Sequence, residues 1–312
     1  MKEIADIGLI GLAVMGQNLV LNMNDHGYTV AVFNRTTSKV DDFLQDAAAG
    51  RDTIIGTHSI EEFTAALKRP RKVMLMVKAG PVVDSFIELL LPHLEEGDII
   101  IDGGNSHFPD SNRRTGELQK RGILFIGTGV SGGEEGARRG PSIMPGGNPE
   151  AWPAVKNILQ DIAAKTDDGT PCCDWVGNSG AGHYVKMVHN GIEYGMMQAY
   201  AEGFSLLEAS PFGKELDFEQ LAHLWNQGSV IRSWLLELAE SAFAKDARLA
   251  DIAPYVQDSG EGRWTVEQAV ELSVSAPVLT LALMERFRSR DETAFADRLL
   301  AALRNEFGGH AV

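Results

Sequence analysis

The chain has 312 residues, 44% of them hydrophobic, which is enough for two domains that each bury a core. Its 28 basic and 43 acidic residues leave a net charge of −15, which argues against nucleic acid or an anionic membrane as partner. Any anionic ligand must therefore be held in a local basic pocket.

Cys172 and Cys173 are adjacent and lack metal-ligand spacing, so they read as reduced structural thiols, and no metal site is expected. The first residues carry no leader pattern, and no apolar run approaches the ~20 residues of a membrane span. A soluble, cytoplasmic protein is the expectation.

In chain order, Ile7–Ile10, Val30–Phe33, Val73–Val77, Ile99–Ile101 and Leu124–Ile126 are short apolar runs that alternate with helical patterns. Such alternation predicts an α/β fold, a Rossmann-type doubly wound parallel sheet with helical crossovers. Ser59-Ile60-Glu61-Glu62 has the form of a capping box, and Pro109 can open a helix running toward Lys120. After Cys172–Val176 the strand-like texture ends, which predicts a boundary near residue 178. Residues 1–178 then form a nucleotide-binding domain and 179–312 an all-helical one. Helix breaks or kinks are expected at Pro211-Phe212-Gly213, Asp258–Gly262 and Pro277.

The first strand runs into Gly11-Leu12-Ala13-Val14-Met15-Gly16, a G-x-A-x-x-G variant of the dinucleotide loop. Gly11 permits the tight turn, Ala13 lets the backbone approach a pyrophosphate, and Gly16 lets the helix pack on the strand. The helix N-terminus supplies N–H groups to phosphate. The second strand ends at Asn34-Arg35-Thr36, with no acidic residue to take a ribose 2′-hydroxyl. Arg35 can pair with a 2′-phosphate and stack on adenine, which favours NADP; the alternative is a solvated arginine in a turn.

From Gly180 a helix pattern places Lys186, His189, Asn190 and Glu193 on one face, opposite an apolar stripe of Val185, Val188, Ile192 and Met196. The polar face is an array of acid, base and hydrogen-bonding groups; a solvated face with an ordinary charge pair is the alternative. Two glycine-rich loops follow strands, Asp102-Gly103-Gly104-Asn105-Ser106 and Gly129-Val130-Ser131-Gly132-Gly133-Glu134-Glu135-Gly136-Ala137. Open α/β sheets bind ligands at such strand ends, and Asn105 and Ser131 are placed to orient one.

These strings, with Val77-Lys78-Ala79-Gly80 and Lys186-Met187-Val188-His189-Asn190-Gly191-Ile192-Glu193-Tyr194, resemble the 6-phosphogluconate dehydrogenase family over essentially the whole chain. The resemblance implies an NADP-dependent enzyme of the pentose phosphate pathway that oxidises and decarboxylates 6-phosphogluconate. Lys186 would remove the 3-hydroxyl proton as base, and would have to be neutral when substrate arrives. Glu193 would protonate C1 after loss of carbon dioxide.

The same resemblance assigns Gly11 to Gly16, Asn34, Arg35, Thr36, Val77, Lys78 and Ala79 to the cofactor, and Asn105 to both cofactor and substrate. Ser131, Gly132, Gly133, His189, Asn190 and Tyr194 would hold substrate. Arg286, with Arg288 as rival, would bind phosphate. Arg304-Asn305-Glu306-Phe307-Gly308-Gly309-His310 is similar to a tail that reaches a neighbouring subunit's site, which implies a homodimer, or a tetramer of two such dimers, with Arg304 and His310 shared.

Two departures stand out. The length matches short-form members, and the residues from Gly195 onward are similar to them, whereas the portion to about Tyr194 is similar to the long form. The Asp258–Trp264 segment is also shorter than its long-form counterpart. A dehydrogenase of β-hydroxyacids that does not decarboxylate, and a silent NADP-binding protein, are the competing expectations.

Overall fold

A computed structural model describes residues 4–308. Its first compact unit runs through His189 and its second begins at Asn190. Among the described residues, eight strands form one sheet: β1 (Ile7–Ile10), β2 (Val30–Phe33), β3 (Ile54–Gly56), β4 (Lys72–Leu75), β5 (Ile99–Asp102), β6 (Leu124–Ser131), β7 (Ser142–Gly147) and β8 (Gly177–Asn178), in the order β3-β2-β1-β4-β5-β6-β7-β8. The strand order reverses direction beside β1, the switch point of a doubly wound sheet. All pairings are parallel except β6 with β7. The sheet is therefore of the expected Rossmann type, with two strands at one edge, β7 and β8, that run antiparallel to the other six.

The first unit's helices are α1 (Val14–Asp25), α2 (Ser38–Gln45), α3 (Ile60–Ala65), α4 (Pro81–Leu90), α5 (Phe108–Gln119), α6 (Gly133–Arg139) and α7 (Trp152–Ile162). Period-two burial divides each strand between two cores. Ile7, Leu9, Val30, Val32, Ile99 and Ile101 pack with Leu19, Val20 and Met23 of α1 and with Val155, Ile158 and Leu159 of α7. Ile10, Ala31, Phe33 and Ile100 face the other way, toward Phe63, Phe86 and Ile87 of α3 and α4. The strands thus read as continuous apolar runs because both faces are covered. Cys173 is buried, and burial pushes its thiol pKa up to about 12, which suits a packing role.

Three strand ends differ from those the sequence suggested, the smallest change being that of β5, which runs one residue further, to Asp102. The β4 strand ends at Leu75, leaving Met76 and Val77 in the turn that follows. The β6 strand continues to Ser131, so Gly129-Val130-Ser131 is strand rather than loop. The cause is β7, whose antiparallel ladder pairs Ile126 with Gly147 and Ser131 with Ser142, giving the glycine-rich segment hydrogen-bond partners.

The long helix α8 (Ala181–Ala209) begins in the first unit and continues into the second. The remaining helices are α9 (Phe218–Gly228), α10 (Trp234–Lys245), α11 (Glu261–Glu271), α12 (Pro277–Arg288) and α13 (Phe295–Gly308). Pro277 opens α12, and Pro211-Phe212-Gly213 lies in the turn after α8, as expected of helix breakers. Within the second unit, Phe204, Phe218, Phe243 and Trp225 pack edge-on or tilted at centroid distances of 4.9–5.7 Å. Among the described residues, no helix is long and apolar enough to cross a membrane.

The predicted capping box forms with a shift of one residue. Ser59 Oγ accepts from the Glu62 amide at 3.1 Å, while the Glu62 carboxylate accepts from the amide of His58 at 2.9 Å rather than that of Ser59. Ser59→Ala is expected to destabilise the protein by about 1 kcal/mol, read as a lower urea midpoint at unchanged slope. An unaltered midpoint would remove the cap from the list of stabilising contacts.

Candidate active site

The turn after β1 is shaped by two close approaches. Gly11 has φ +108°, and a Cβ there would lie 2.3 Å from the Met76 carbonyl oxygen; one on Gly16 would lie 1.9 Å from the Gly11 carbonyl oxygen. Neither position has room for a side chain, so the backbone of the turn stays bare. The α1 helix starts at Val14, inside the motif, and Gly16 lies in its first turn. No side chain caps α1 and no acidic residue occupies its first turn, which leaves a positive helix end suited to phosphate.

Asn34 braces this turn: its Oδ1 accepts from the Leu12 amide at 3.1 Å and its Nδ2 donates to the Thr36 carbonyl at 2.9 Å. Arg35 is exposed, rests over the Phe86 ring at 5.0 Å and donates to Ser85 Oγ at 3.2 Å. Its head group is therefore held beside α4, while Thr36 and Lys78 are exposed nearby in sequence to β2 and β4. These groups fit an anionic dinucleotide whose adenosine end carries a further phosphate.

Two further turns leave the carboxyl ends of β4 and β5. The first, Val77-Lys78-Ala79-Gly80, ends in Gly80 at φ +88° and leads into α4. The second, Gly103-Gly104-Asn105, leaves Asn105 exposed between the buried residues Asp102 and Ser106. Asp102 accepts from the Gly104 amide at 3.1 Å, from Ser106 Oγ at 2.7 Å and from Arg114 Nη1 at 3.1 Å. Arg114, from the middle of α5, is only 1% exposed. It also donates to both oxygens of Asp84, at 2.8 and 3.1 Å, and this guanidinium holds the Asp84 carboxyl below the usual carboxylate range. Neither Arg114 nor Asp84 was singled out from the sequence, where Arg113-Arg114 reads as an ordinary solvated helix face.

The α8 helix places His183 and Lys186 against the sheet. A Cβ on Gly129 of β6 would lie 2.4 Å from Lys186 Cβ, and one on Gly127 would lie 2.7 Å from His183 Nδ1. Glycine at both strand positions therefore lets α8 pack directly against β6, covering the Lys186 stem. Lys186 is 6% exposed and Asn190 8%, whereas Val185, Ile192 and Met196 are 38%, 51% and 38% exposed. The polar face is the buried one, which excludes the solvated-face alternative. His189 Nε2 lies 3.3 Å from Ser131 Oγ, tying the last residue of β6 to α8.

One turn before Lys186, the His183 side chain is buried with Nδ1 2.6 Å from Ser111 Oγ. Burial pushes its imidazole pKa below the ordinary histidine value, so the ring is neutral near pH 7. After Ser131, Gly132 (φ +140°) and Gly133 (φ +58°) open α6, whose position against α1 is fixed by Asn22 Nδ2 donating to the Ala137 carbonyl at 3.1 Å.

In the second unit Tyr194 is buried; its hydroxyl accepts from the Ser259 amide at 3.0 Å. Arg286 lies over the Tyr194 ring at 3.5 Å and donates to the Gln257 carbonyl at 2.7 Å. Its rival Arg288 is exposed and pairs with Glu285 at 3.0 Å. Asp258 is paired with both Arg263 and Arg290. Arg304 is exposed on α13, and His310 lies outside the described residues.

Comparisons with known proteins agree on one family. Residues 6–177 match the NAD binding domain of 6-phosphogluconate dehydrogenase, and residues 182–310 match the C-terminal domain of 6-phosphogluconate dehydrogenase. A decarboxylating 6-phosphogluconate dehydrogenase of Cunninghamella elegans is 54% identical over 309 residues, covering 96% of this chain and 63% of that protein. A solved structure of Plasmodium falciparum 6-phosphogluconate dehydrogenase, studied as apoprotein, with NADP+ and with 6-phosphogluconate, aligns with TM-score 0.85 at 39% identity. It covers 97% of this chain and 65% of that one. The 3-hydroxyisobutyrate dehydrogenase of Salmonella typhimurium shares the fold, with TM-score 0.70 at 15% identity over 92% of this chain and 94% of its own. The chain spans about three-fifths of the length of the curated relatives it matches. With both of its parts matched in order, and with every glycine turn and the α8 string in place, the chain belongs to the 6-phosphogluconate dehydrogenase family.

Proposed function

We propose that this chain catalyses the NADP-dependent oxidative decarboxylation of 6-phospho-D-gluconate to D-ribulose 5-phosphate, carbon dioxide and NADPH. The observation that carries the reading is the burial of the Lys186 face of α8 against the glycines of β6. A lysine whose stem is packed and whose face is shielded can act as a base where a solvated one does not. The names of the curated relatives, and the substrate and cofactor seen in the Plasmodium falciparum structure, support the same reaction.

Residues 1–178 serve as the nucleotide domain and 179–312 as the substrate and dimerisation domain. Gly11 to Gly16 and the α1 N-terminus hold the pyrophosphate, Arg35 with Asn34 and Thr36 reads the 2′-phosphate, and Val77, Lys78, Ala79 and Asn105 line the remainder. NADP, when bound, supplies the hydride acceptor for C3 of the substrate. Lys186 takes the 3-hydroxyl proton as the C3–H bond breaks, leaving a 3-keto acid. Its ammonium form then donates to the 3-oxygen as the C1 carboxylate departs and negative charge develops there. Glu193, two turns further along the same face, protonates the carbon that lost carbon dioxide. Asn105, Ser131, Gly132, Gly133, His189 and Asn190 orient the carboxylate and hydroxyls. Tyr194 and Arg286 take the phosphate; stacking of Arg286 on Tyr194 supports its choice over Arg288.

The working unit is a homodimer in which the partner's tail brings Arg304 and His310 to complete the site. Two features support an apolar partner surface. Phe295, Leu299, Leu300 and Leu303 of α13 are 67%, 47%, 61% and 55% exposed. An apolar cavity of about 710 Å³ lined by Met197, Phe204, Leu235, Leu238 and Phe243 opens in the second unit. None of Lys186, His189, Asn190 or Glu193 lines it, so it is not where the chemistry is proposed.

Three experiments bear on these roles. Lys186→Met is expected to abolish hydride transfer while the NADP dissociation constant changes by less than about threefold, since remote contacts set cofactor affinity; retained turnover would refute the base. Arg35→Glu should shift the NADP-to-NAD preference toward NAD by more than about tenfold, because a 2′-phosphate would then face a carboxylate. An unchanged ratio removes Arg35 as reader. Deleting residues 304–312 should raise the Michaelis constant for 6-phosphogluconate at an unaltered thermal midpoint, and unaltered kinetics would contradict the shared site.

A further inference from the structure

Arg114 makes five hydrogen bonds, one for each N–H of its guanidinium. Nε donates to Asp84 Oδ1 at 2.8 Å and Nη2 to Asp84 Oδ2 at 3.1 Å. The second Nη2 bond reaches the Gly80 carbonyl at 3.1 Å, and Nη1 donates to Asp102 Oδ2 at 3.1 Å and Ser106 Oγ at 3.4 Å. The four acceptor residues come from three stretches of chain. Gly80 closes the turn after β4, Asp84 lies in the first turn of α4, and Asp102 and Ser106 flank the turn after β5.

Asp102 is fully buried, and its other oxygen fixes the Gly104 amide. One side chain thus ties together the two turns that carry Lys78-Ala79 and Asn105. Those turns leave adjacent parallel strands; the Gly103 amide donates to the Leu75 carbonyl at 3.0 Å at the foot of the second turn, and the ladder goes no further toward the tips.

We propose that Arg114 is a positioning residue for hydride transfer, a buried strut that holds the Val77–Gly80 turn and the Gly103–Asn105 turn in one fixed arrangement. This rests on the assignment of both turns to cofactor and substrate made above. Arg114 touches neither ligand. Its effect runs through Gly80 and Asp102, whose displacement would carry Ala79 and Asn105 with them. Lysine cannot replace it, because a single ammonium with three donors cannot span two carboxylates, a carbonyl and a hydroxyl. Tight binding of the pyrophosphate by the Gly11–Gly16 turn does not depend on the strut, so binding and turnover separate when it is removed.

The test compares the full-length wild type with Arg114→Met, with the double variant Arg114→Met/Asp102→Asn, and with Ser106→Ala. The single Arg114→Met leaves a buried carboxylate without its cation and is expected to lower the thermal midpoint. The double variant removes both charges and should regain most of that midpoint. Its turnover number is nevertheless expected to fall about 100-fold, the scale of a misplacement near 1 Å, with NADP affinity held within about threefold. The deuterium isotope effect on turnover with 3-deuterated 6-phosphogluconate should rise as hydride transfer becomes limiting. Ser106→Ala should show a smaller fall of the same sign.

Hydrogen exchange without ligand provides a readout independent of activity: amides of both turns, residues 78–80 and 103–105, should exchange faster together in the double variant. Recovery of turnover along with the thermal midpoint would overturn the proposal, as would faster exchange at one turn alone. If the wild type fails to oxidise 6-phosphogluconate, the functional reading falls and the exchange measurement alone decides the strut.

Discussion

The close approach of α8 to β6 is the constraint on which the candidate site depends. Glycine at 127 and 129 puts no strand side chain between strand and helix, so the His183 ring and the Lys186 stem lie where a Cβ would otherwise stand. Gly182, at the start of the helix, fits the same requirement, since a Cβ there would lie 2.1 Å from the Gly127 carbonyl oxygen. The contact turns the helix so that Lys186 and Asn190 are covered while Val185 and Ile192 face outward. An amphipathic helix placed by hydrophobicity alone would sit the other way round. Covering the polar side costs stability; under the proposed function that cost is offset by the shielding from water that a basic Lys186 needs.

The remaining parts of the first unit serve to aim ligand-facing turns at one edge of the sheet. Parallel strands deliver the turns after β1, β4 and β5 to the same edge, and the glycines in those turns keep the backbone low. Ordinary strand pairing stops at the strand ends, so the tips need their own ties. Asn34 supplies one for the first turn through Leu12 and Thr36, and Arg114 supplies one for the other two. The Asn22 side chain, buried and bonded to the carbonyls of Ala137 and Ile162, does the same for α6 behind Gly132. Asn34 and Asn22 meet backbone groups directly, whereas Arg114 reaches one carbonyl, that of Gly80, and otherwise acts through Asp84, Asp102 and Ser106.

Much of this was legible in the sequence. The five apolar runs became strands because both faces of a parallel sheet are covered, and Gly11, Gly16 and Pro109 marked their turn and helix ends by sterics alone. The segment Ser142–Gly147 was not legible: its Pro145, Gly146 and Gly147 read as turn residues, yet they pair antiparallel with β6 and extend it. Nor could the pattern on α8 say which face is inward, since that is decided by glycines more than fifty positions earlier. Arg113 and Arg114 were indistinguishable side by side. One is 42% exposed and the other 1%, because they project about a quarter-turn apart and only Arg114 meets Asp102.

The most direct measurement incubates the purified chain with 6-phosphogluconate and either NADP or NAD, recording reduced cofactor and carbon dioxide together. Equimolar NADPH and carbon dioxide, with NADP preferred over NAD, is the expected result. Reduction of the cofactor with no carbon dioxide would contradict decarboxylation, and binding of NADP with no turnover at any pH would contradict a catalytic role for the buried face of α8.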